Sequence, residues 1–431
     1  MIPRDMHSPV ALDAAEPSVS RRVARLSLAL LLAINLFNYI DRQILAAVLP
    51  EIGRELLAGD LNAEQKKGWL ATAFLVSYMV AAPIFGWLAD RFSRWVLVGL
   101  GVILWSIASG ESGRAELFIV LLITRAFVGI GEAAYGPAAP TIISDLFSIK
   151  NRGLVLAFFY MAIPVGSALG YVWGGLWVSW GHWRWAFYSV VPPGILLGIL
   201  CFLMRDPRRA KAGKPAQRAK LADFLKLART PSYVLNTLGM AALTFAIGGI
   251  GIWMPSYIAE FRKAADLGTT NTIFGAITVV AGVTGTIAGG FVGDRLRTKM
   301  RGAYLSLSGI GLFMAFPFFL LVLAAPFPLA WVFVFLAEFC LFFNTGPSNT
   351  ALANVSAPSV RATAFAVNIF VIHALGDAIS PPIIGAFTDA FGGNMNVGFL
   401  FVGAVMLVGG AFWMAGARYL DRDTEIASKA T

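Results

Sequence analysis

The chain has 431 residues, 58% of them apolar and only 13% charged, where an ordinary soluble domain is about a quarter charged. That composition excludes a soluble globular protein. At roughly 20 apolar residues per span, the length holds about a dozen membrane helices and leaves no room for a soluble catalytic domain. The net charge of +10 is no signal for nucleic acid, because in a membrane chain the question is which loops carry it.

The first 25 residues are polar and include Arg4, Arg21, Arg22 and Arg25. The apolar run that follows is too long for a signal peptide and contains Asn35, Asn38, Asp41 and Arg42, which suits a retained helix. Runs of spanning length then start near Leu26, Trp69, Val96, Leu117, Leu154 and Trp185, and again near Tyr233, Thr269, Ala303, Ala330, Ala362 and Val397. Twelve helices are therefore predicted. Most of the 34 Lys and Arg residues fall at the chain ends and in the even-numbered turns, so the positive-inside rule places both ends in the cytoplasm. The stretch from Arg205 to Arg229 has nine basic residues against Asp206 and Asp223, and reads as a connector on anionic headgroups with a short amphipathic helix from Ala222 to Arg229. Cys201 and Cys340 lie inside apolar runs, so neither a disulfide framework nor a metal site is expected.

Landmarks recur at a near-constant offset across this connector. Gly86 and Asp90-Arg91 correspond to Gly290 and Asp294-Arg295, Pro50 to Pro255, and Arg152 to Arg361. The prolines are expected to close the first helix of each half. The repeat predicts an all-α membrane protein of two pseudo-symmetric six-helix bundles, residues 26–204 and 232–418, with a basic linker at 205–231 and tails at 1–25 and 419–431.

Ionisable side chains inside a membrane are costly and mark function. Helix one has Asp41 and Arg42, and helix four has Arg125 and Glu132. Counting a rise of about 1.5 Å per residue from the outer ends, Asp41 and Arg125 share a depth of about 12 Å, with Glu132 about 10 Å deeper on the same face as Arg125. This predicts an upper tier of Asp41, Arg42 and Arg125, and a lower tier of Glu132 with Asn35 or Asn38. Apolar surroundings disfavour a charged carboxylate, which makes Glu132 and Asp41 candidate proton carriers. Arg42 and Arg125 are forked donors suited to phosphate or carboxylate, with Asn35 and Asn38 as further substrate ligands. The second half offers Glu338, the pair His373 and Asp377 four residues apart, and Asn344; otherwise it reads as an apolar surface rich in Phe and Trp, fit for the tail of an amphiphile.

The string GWLADRFSR, Gly86 to Arg94, with its degenerate copy GDRLR at Gly293 to Arg297, resembles the signature loop of the major facilitator superfamily. The resemblance implies a cytoplasmic gate in which Gly86 permits close helix approach, while Asp90, Arg91, Arg94, Asp294 and Arg295 hold the halves shut, with Asp145 as a partner. Within that superfamily NYIDR (Asn38 to Arg42), GIGEAAYGPAAPTIISDLF (Gly129 to Phe147) and FYMAIPVGSALGY (Phe159 to Tyr171) resemble the spinster-like lipid transporters. The likeness is densest from Asn38 to about Arg209. It implies a proton-coupled carrier of lysophospholipid, sphingosine phosphate or a related anionic amphiphile, with protons as coupling ion and no cofactor. Pro164, Gly166, Gly170, Gly174 and Gly175 resemble a loose antiporter motif.

Competing readings remain. A DR pair and an R-x6-E pair also occur among proton symporters of sugar acids and similar organic anions, for which Asn344, Thr345, Ser348 and Asn349 would supply polar ligands. An amphiphilic drug exporter and a passive lipid channel are the others. GIGEAA (Gly129 to Ala134) lacks the strand that a dinucleotide fingerprint needs and reads as helix packing. With no G-x-S-x-G and no H-E-x-x-H, an enzyme is not expected. A multi-pass monomer of the bacterial plasma membrane, contacting membrane lipids and no nucleic acid, completes the expectation.

Overall fold

A computed structural model describes residues 20–147, 149–207, 221–357 and 360–429. Residues 1–19, residues 208–220 of the basic connector, and the side chain of Arg152 lie outside that description. Twelve helices are long and apolar enough to cross a membrane: α1 Arg21–Leu56, α2 Ala63–Ala89, α3 Arg94–Arg114, α4 Phe118–Leu146, α5 Phe158–Ser179, α6 Trp183–Phe202, α7 Pro231–Phe261, α8 Leu267–Leu296, α9 Ala303–Ala324, α10 Leu329–Asn354, α11 Thr363–Ala390 and α12 Met395–Lys429. The predicted count of spans holds. Pro50 and Pro255, however, do not close their helices. Pro50 sits inside α1, which runs on to Leu56. Pro255 is followed by a wide turn at Tyr257–Phe261, the kind of local loosening by which a helix absorbs a missing N–H. Between the halves a short helix, Leu221–Ala228, is offset by one residue from the predicted amphipathic segment.

Within the first half α1 packs on α5, α2 on α4, and α3 on both α4 and α6; within the second α7 packs on α12, α8 on α10, and α9 on α10 and α12. Small residues set these distances. A Cβ at Gly129 would stand 2.2 Å from the Phe74 carbonyl oxygen, so the GIGEAA string seats α4 on α2. Gly166, Gly170 and Gly174 face α1, whereas Gly175 meets Gly268 and Asn271 of α8.

The halves meet through α5 with α8, α2 with α11, and α1 with α7. Side-chain bonds joining them lie in the half of the molecule away from the start of α1 and the end of α12, here called the far face. The Asn271 amide donates to the Ala47 carbonyl (3.0 Å), the Tyr171 hydroxyl to the Gly251 carbonyl (2.6 Å) and the Thr72 hydroxyl to the Ala378 carbonyl (2.5 Å). Arg54 pairs with Glu260 at 3.3 Å. At the opposite, terminal face, nothing lies within 4 Å of a Cβ built on Gly86 or Gly290. The bundles therefore touch at the far face and part toward the terminal face, where α1 starts and α12 ends.

Adjacent glycines of α8 make a stability test. A Cβ at Gly289 would lie 1.8 Å from the Phe343 carbonyl oxygen of α10, and such overpacking costs about 1–3 kcal/mol. Gly289→Ala should lower the thermal midpoint in detergent, while Gly290→Ala should leave it unchanged or raise it.

Candidate substrate and proton site

Asp41 and Arg42 are neighbours on α1, so their side chains leave the helix about 100° apart. That rotation divides the predicted upper tier. Arg42 turns to Glu132, with Nη2 at 2.6 Å and Nε at 2.7 Å from the same carboxylate oxygen. Asp41 turns to α3 and α4, accepting a hydrogen bond from the Ser109 hydroxyl and standing 3.9 Å from Arg125. The expected cluster of one acid between two guanidiniums is thus two crosswise pairs: an acid and a base from each helix, each meeting its opposite on the other. The long Arg42 side chain spans the difference in depth to Glu132. Asn35 leaves the expected site as well, since its amide donates to the Phe159 carbonyl of α5 at 2.8 Å. Asn38 faces Glu132 as expected.

Aromatic rings frame the two guanidiniums. Arg42 lies over Phe74 (4.8 Å), Tyr39 (5.0 Å) and Tyr78 (5.6 Å), and Arg125 lies 5.8 Å from the same Phe74 ring. Such contacts hold a planar cation without neutralising it. Arg125 is almost wholly buried, and its Nε and Nη1 have no hydrogen-bond partner, nor does Oε1 of Glu132. Arg42 is 22% exposed. Both arginines line a cavity of about 300 Å³ between the halves.

The opposite wall of that cavity departs from the apolar surface expected. Ile247, Ile250, Leu341 and Phe342 line it, but so do Glu338, His373 and Asp377. Glu338 accepts from the Thr278 hydroxyl at 3.1 Å, and its Oε2 has no partner. His373 Nδ1 lies 2.9 and 3.1 Å from the two Asp377 oxygens. They sit at a wide turn whose Gly376 leaves helical geometry (φ −110°, ψ −109°). The cavity therefore has a basic pole on α1 and α4 and an acidic pole on α10 and α11.

Asn344 does not reach it. Its amide donates to the Cys340 carbonyl, the Ser348 hydroxyl to the Asn344 carbonyl, and the Asn349 amide to the Thr345 carbonyl, so these groups bond along their own helix. No cluster of three or more metal-ligating side chains occurs among the described residues. Arg94, Arg91 and Asp294 of the gate contact residues of their own half or of the connector. Arg94 reaches Asp145 (2.6 Å), the expected partner, and also Asp206 (2.8 Å), which was not foreseen. Arg91 stacks on Trp87 at 3.9 Å, Asp294 accepts from the Tyr304 hydroxyl at 2.8 Å, and Arg295 is exposed. None of these contacts joins the two halves, and the helices that carry the expected latch stand apart on this face. Ser109 and Thr278, which position Asp41 and Glu338, were missed; nothing marks one serine among many in an apolar helix.

Twelve spans in two bundles around a central cavity define a membrane transporter, and comparison with known proteins agrees. A family model for the Major Facilitator Superfamily matches residues 31–381, and the chain belongs to that superfamily of transporters rather than to an enzyme family. It is 35% identical to a sphingosine-1-phosphate transporter of Danio rerio, over 92% of this chain and 84% of that one. It is 36% identical to protein spinster homolog 1 of Homo sapiens, over 92% and 81%. The chain is a member of the spinster family. The fold also matches a crystal structure of a bacterial homolog of the human lysosomal transporter spinster, with TM-score 0.79, 21% identity and coverage of 95% and 99%. A D-xylose-proton symporter matches with TM-score 0.72, 17% identity and coverage of 90% and 96%.

Breaking one partner of a buried pair leaves an uncompensated charge and costs about 3 kcal/mol or more. Arg42→Gln and Glu132→Gln should each lower unfolding stability by that order. The double variant should be more stable than the sum of the two losses predicts, by at least about 1 kcal/mol.

Proposed function

We propose that this transporter carries an anionic amphiphile, a lysophospholipid or sphingosine-phosphate-like lipid, across a bacterial plasma membrane by alternating access coupled to protons. One observation carries the reading: Arg42 is both the hydrogen-bond partner of Glu132 and a wall of the cavity. An anionic headgroup that takes the Arg42 fork competes with Glu132, and a carboxyl released from its cation in apolar surroundings takes a proton. Asp41 and Arg125 stand in the same relation one layer away. Proton and anion thus act on one another through shared guanidiniums, with Glu132 and Asp41 as carriers and Arg42 and Arg125 as headgroup ligands.

The acidic pole refines the cargo. Glu338 and Asp377 face the cavity opposite the arginines and suit an ammonium on the same headgroup, while Ile247, Ile250 and Phe342 suit its apolar part. The Danio rerio relative is named for a lipid that has such a phosphate. The reading of a small organic-anion symporter is weaker, because the Asn344 and Asn349 amides and the Ser348 hydroxyl meant to serve it bond to their own helix. In this account the protein works as a monomer with both ends in the cytoplasm and no cofactor, its bundles at 26–204 and 232–418 joined by the basic connector 205–231.

Uptake into proteoliposomes driven by a pH gradient tests it, with a labelled lysophospholipid set beside gluconate. Wild type should move the lipid, and Glu132→Gln should cut gradient-driven uptake at least tenfold while sparing exchange without a gradient. Gluconate uptake with no lipid movement, or gradient-driven lipid uptake undiminished in both Glu132→Gln and Asp41→Asn, would sink the proposal. Glu338→Gln should weaken a lysolipid with an ammonium group several-fold and leave one without it unchanged.

A further inference from the structure

The spacing that marks the terminal ends of α2 and α8, a glycine followed four residues later by an aspartate, occurs again at the far end of α11, in Gly385 and Asp389. No arginine follows this copy, which hides it from a search for the loop motif. It meets the start of α2, in the other half of the molecule. The backbone N–H of Glu64 donates to one Asp389 carboxylate oxygen at 3.2 Å, and that of Gln65 to the other at 2.8 Å.

These are the second and third N–H groups of α2, the two that a helix's own N-cap side chain ordinarily satisfies. The residue in the cap position, Asn62, makes no such bond. The cap of α2 is therefore supplied in trans by a carboxylate of α11, favoured further by the positive end of a 27-residue helix.

The glycines make the approach possible. A Cβ at Gly385 would stand 2.4 Å from the Glu64 carbonyl oxygen, and one at Gly68, on the next turn of α2, 2.4 Å from the backbone nitrogen of Pro382. In the other cross-half seam, α5 on α8, Gly268 stands against Gly175 and Ser179, and the Tyr171 ring packs edge-on against Phe274 at 5.0 Å. The far face thus has two pseudo-symmetric seams, and one of them has a carboxylate catch. At the terminal face a Cβ at the matching positions Gly86 and Gly290 would meet nothing within 4 Å.

We infer that Gly385 and Asp389 form the far-face latch of the transport cycle, in which Asp389 caps α2 while that face is shut and must let go before it opens. Asp389 is a positioning residue and touches no cargo. The inference requires only that the halves alternate, and stands whatever the cargo or coupling ion.

Spin-label distances test it on the full-length protein in lipid nanodiscs, in a background lacking Cys201 and Cys340. One label pair, Glu116→Cys with Leu329→Cys, spans the far face. A second, Arg205→Cys with Lys299→Cys, spans the terminal face. Asp389→Asn should raise the ratio of far-open to far-closed molecules at least tenfold and shorten the terminal-face distance, and Asp389→Glu should restore the wild-type distribution in good part. Unchanged distances in Asp389→Asn, or equal disturbance in the Asn and Glu variants, would overturn the latch.

Amide exchange gives a second reading with the carboxylate intact. Gly385→Leu forces the seam apart, so exchange at Glu64 and Gln65 should rise at least tenfold over wild type. Exchange at wild-type rates in that variant would show that Asp389 does not protect these groups.

Discussion

Two ion pairs between α1 and α4, with Asp41, Arg125 and Glu132 buried and Arg42 alone partly exposed, are the constraint around which the first bundle is arranged. Uncharged side chains would join two helices at far lower desolvation cost. Arg42 pairs with Glu132 and is held among the rings of Phe74, Tyr39 and Tyr78, so its charge is oriented as well as compensated. Because the same guanidinium is part of the cavity wall, any anion there enters a competition already under way. That coupling is local electrostatics and needs no long-range path.

The second constraint is steric. Where helices of opposite halves meet, glycines let backbones approach to distances that a methyl group would forbid, at Gly68 and Gly385 on one seam and at Gly175 and Gly268 on the other. Contacts of this kind exist in full or not at all, which makes the closed face a discrete state. On the terminal face a Cβ at Gly86 or Gly290 would meet nothing within 4 Å, and Arg94 is satisfied there by Asp145 of its own half and Asp206 at the start of the connector. Shut on one face and parted on the other, the molecule is in one of the two states that a rocking mechanism requires.

Much of this was legible in the sequence, for identifiable reasons. The length of the apolar runs set the number of helices, and the GWLADRFSR and NYIDR strings placed the chain in its superfamily and family. The four charged residues of α1 and α4 stood out because charge is so costly in hydrocarbon. Their pairing did not emerge, because depth is linear in residue number whereas direction turns by 100° at each step; Asp41 and Arg42 share a level and face different neighbours. The acidic pole was underread for the same reason. Glu338, His373 and Asp377 are few against a Phe-rich background, and only the wide turn at Gly376 together with the α7 packing brings the α11 pair into the cavity with Glu338. Pro50 and Pro255 misled because proline is a weaker stop signal in long membrane helices than in soluble ones.

The central claim is that an anion at Arg42 releases Glu132 to take a proton. Proton uptake on binding measures this directly: purified protein in weakly buffered detergent is titrated with an anionic lysophospholipid while the pH is followed. The account predicts that wild type takes up protons as it binds, that Glu132→Gln binds with markedly less uptake, and that a lysolipid without an anionic group produces none. Saturable binding of the anionic lipid with no proton uptake, or uptake undiminished in Glu132→Gln, would contradict it.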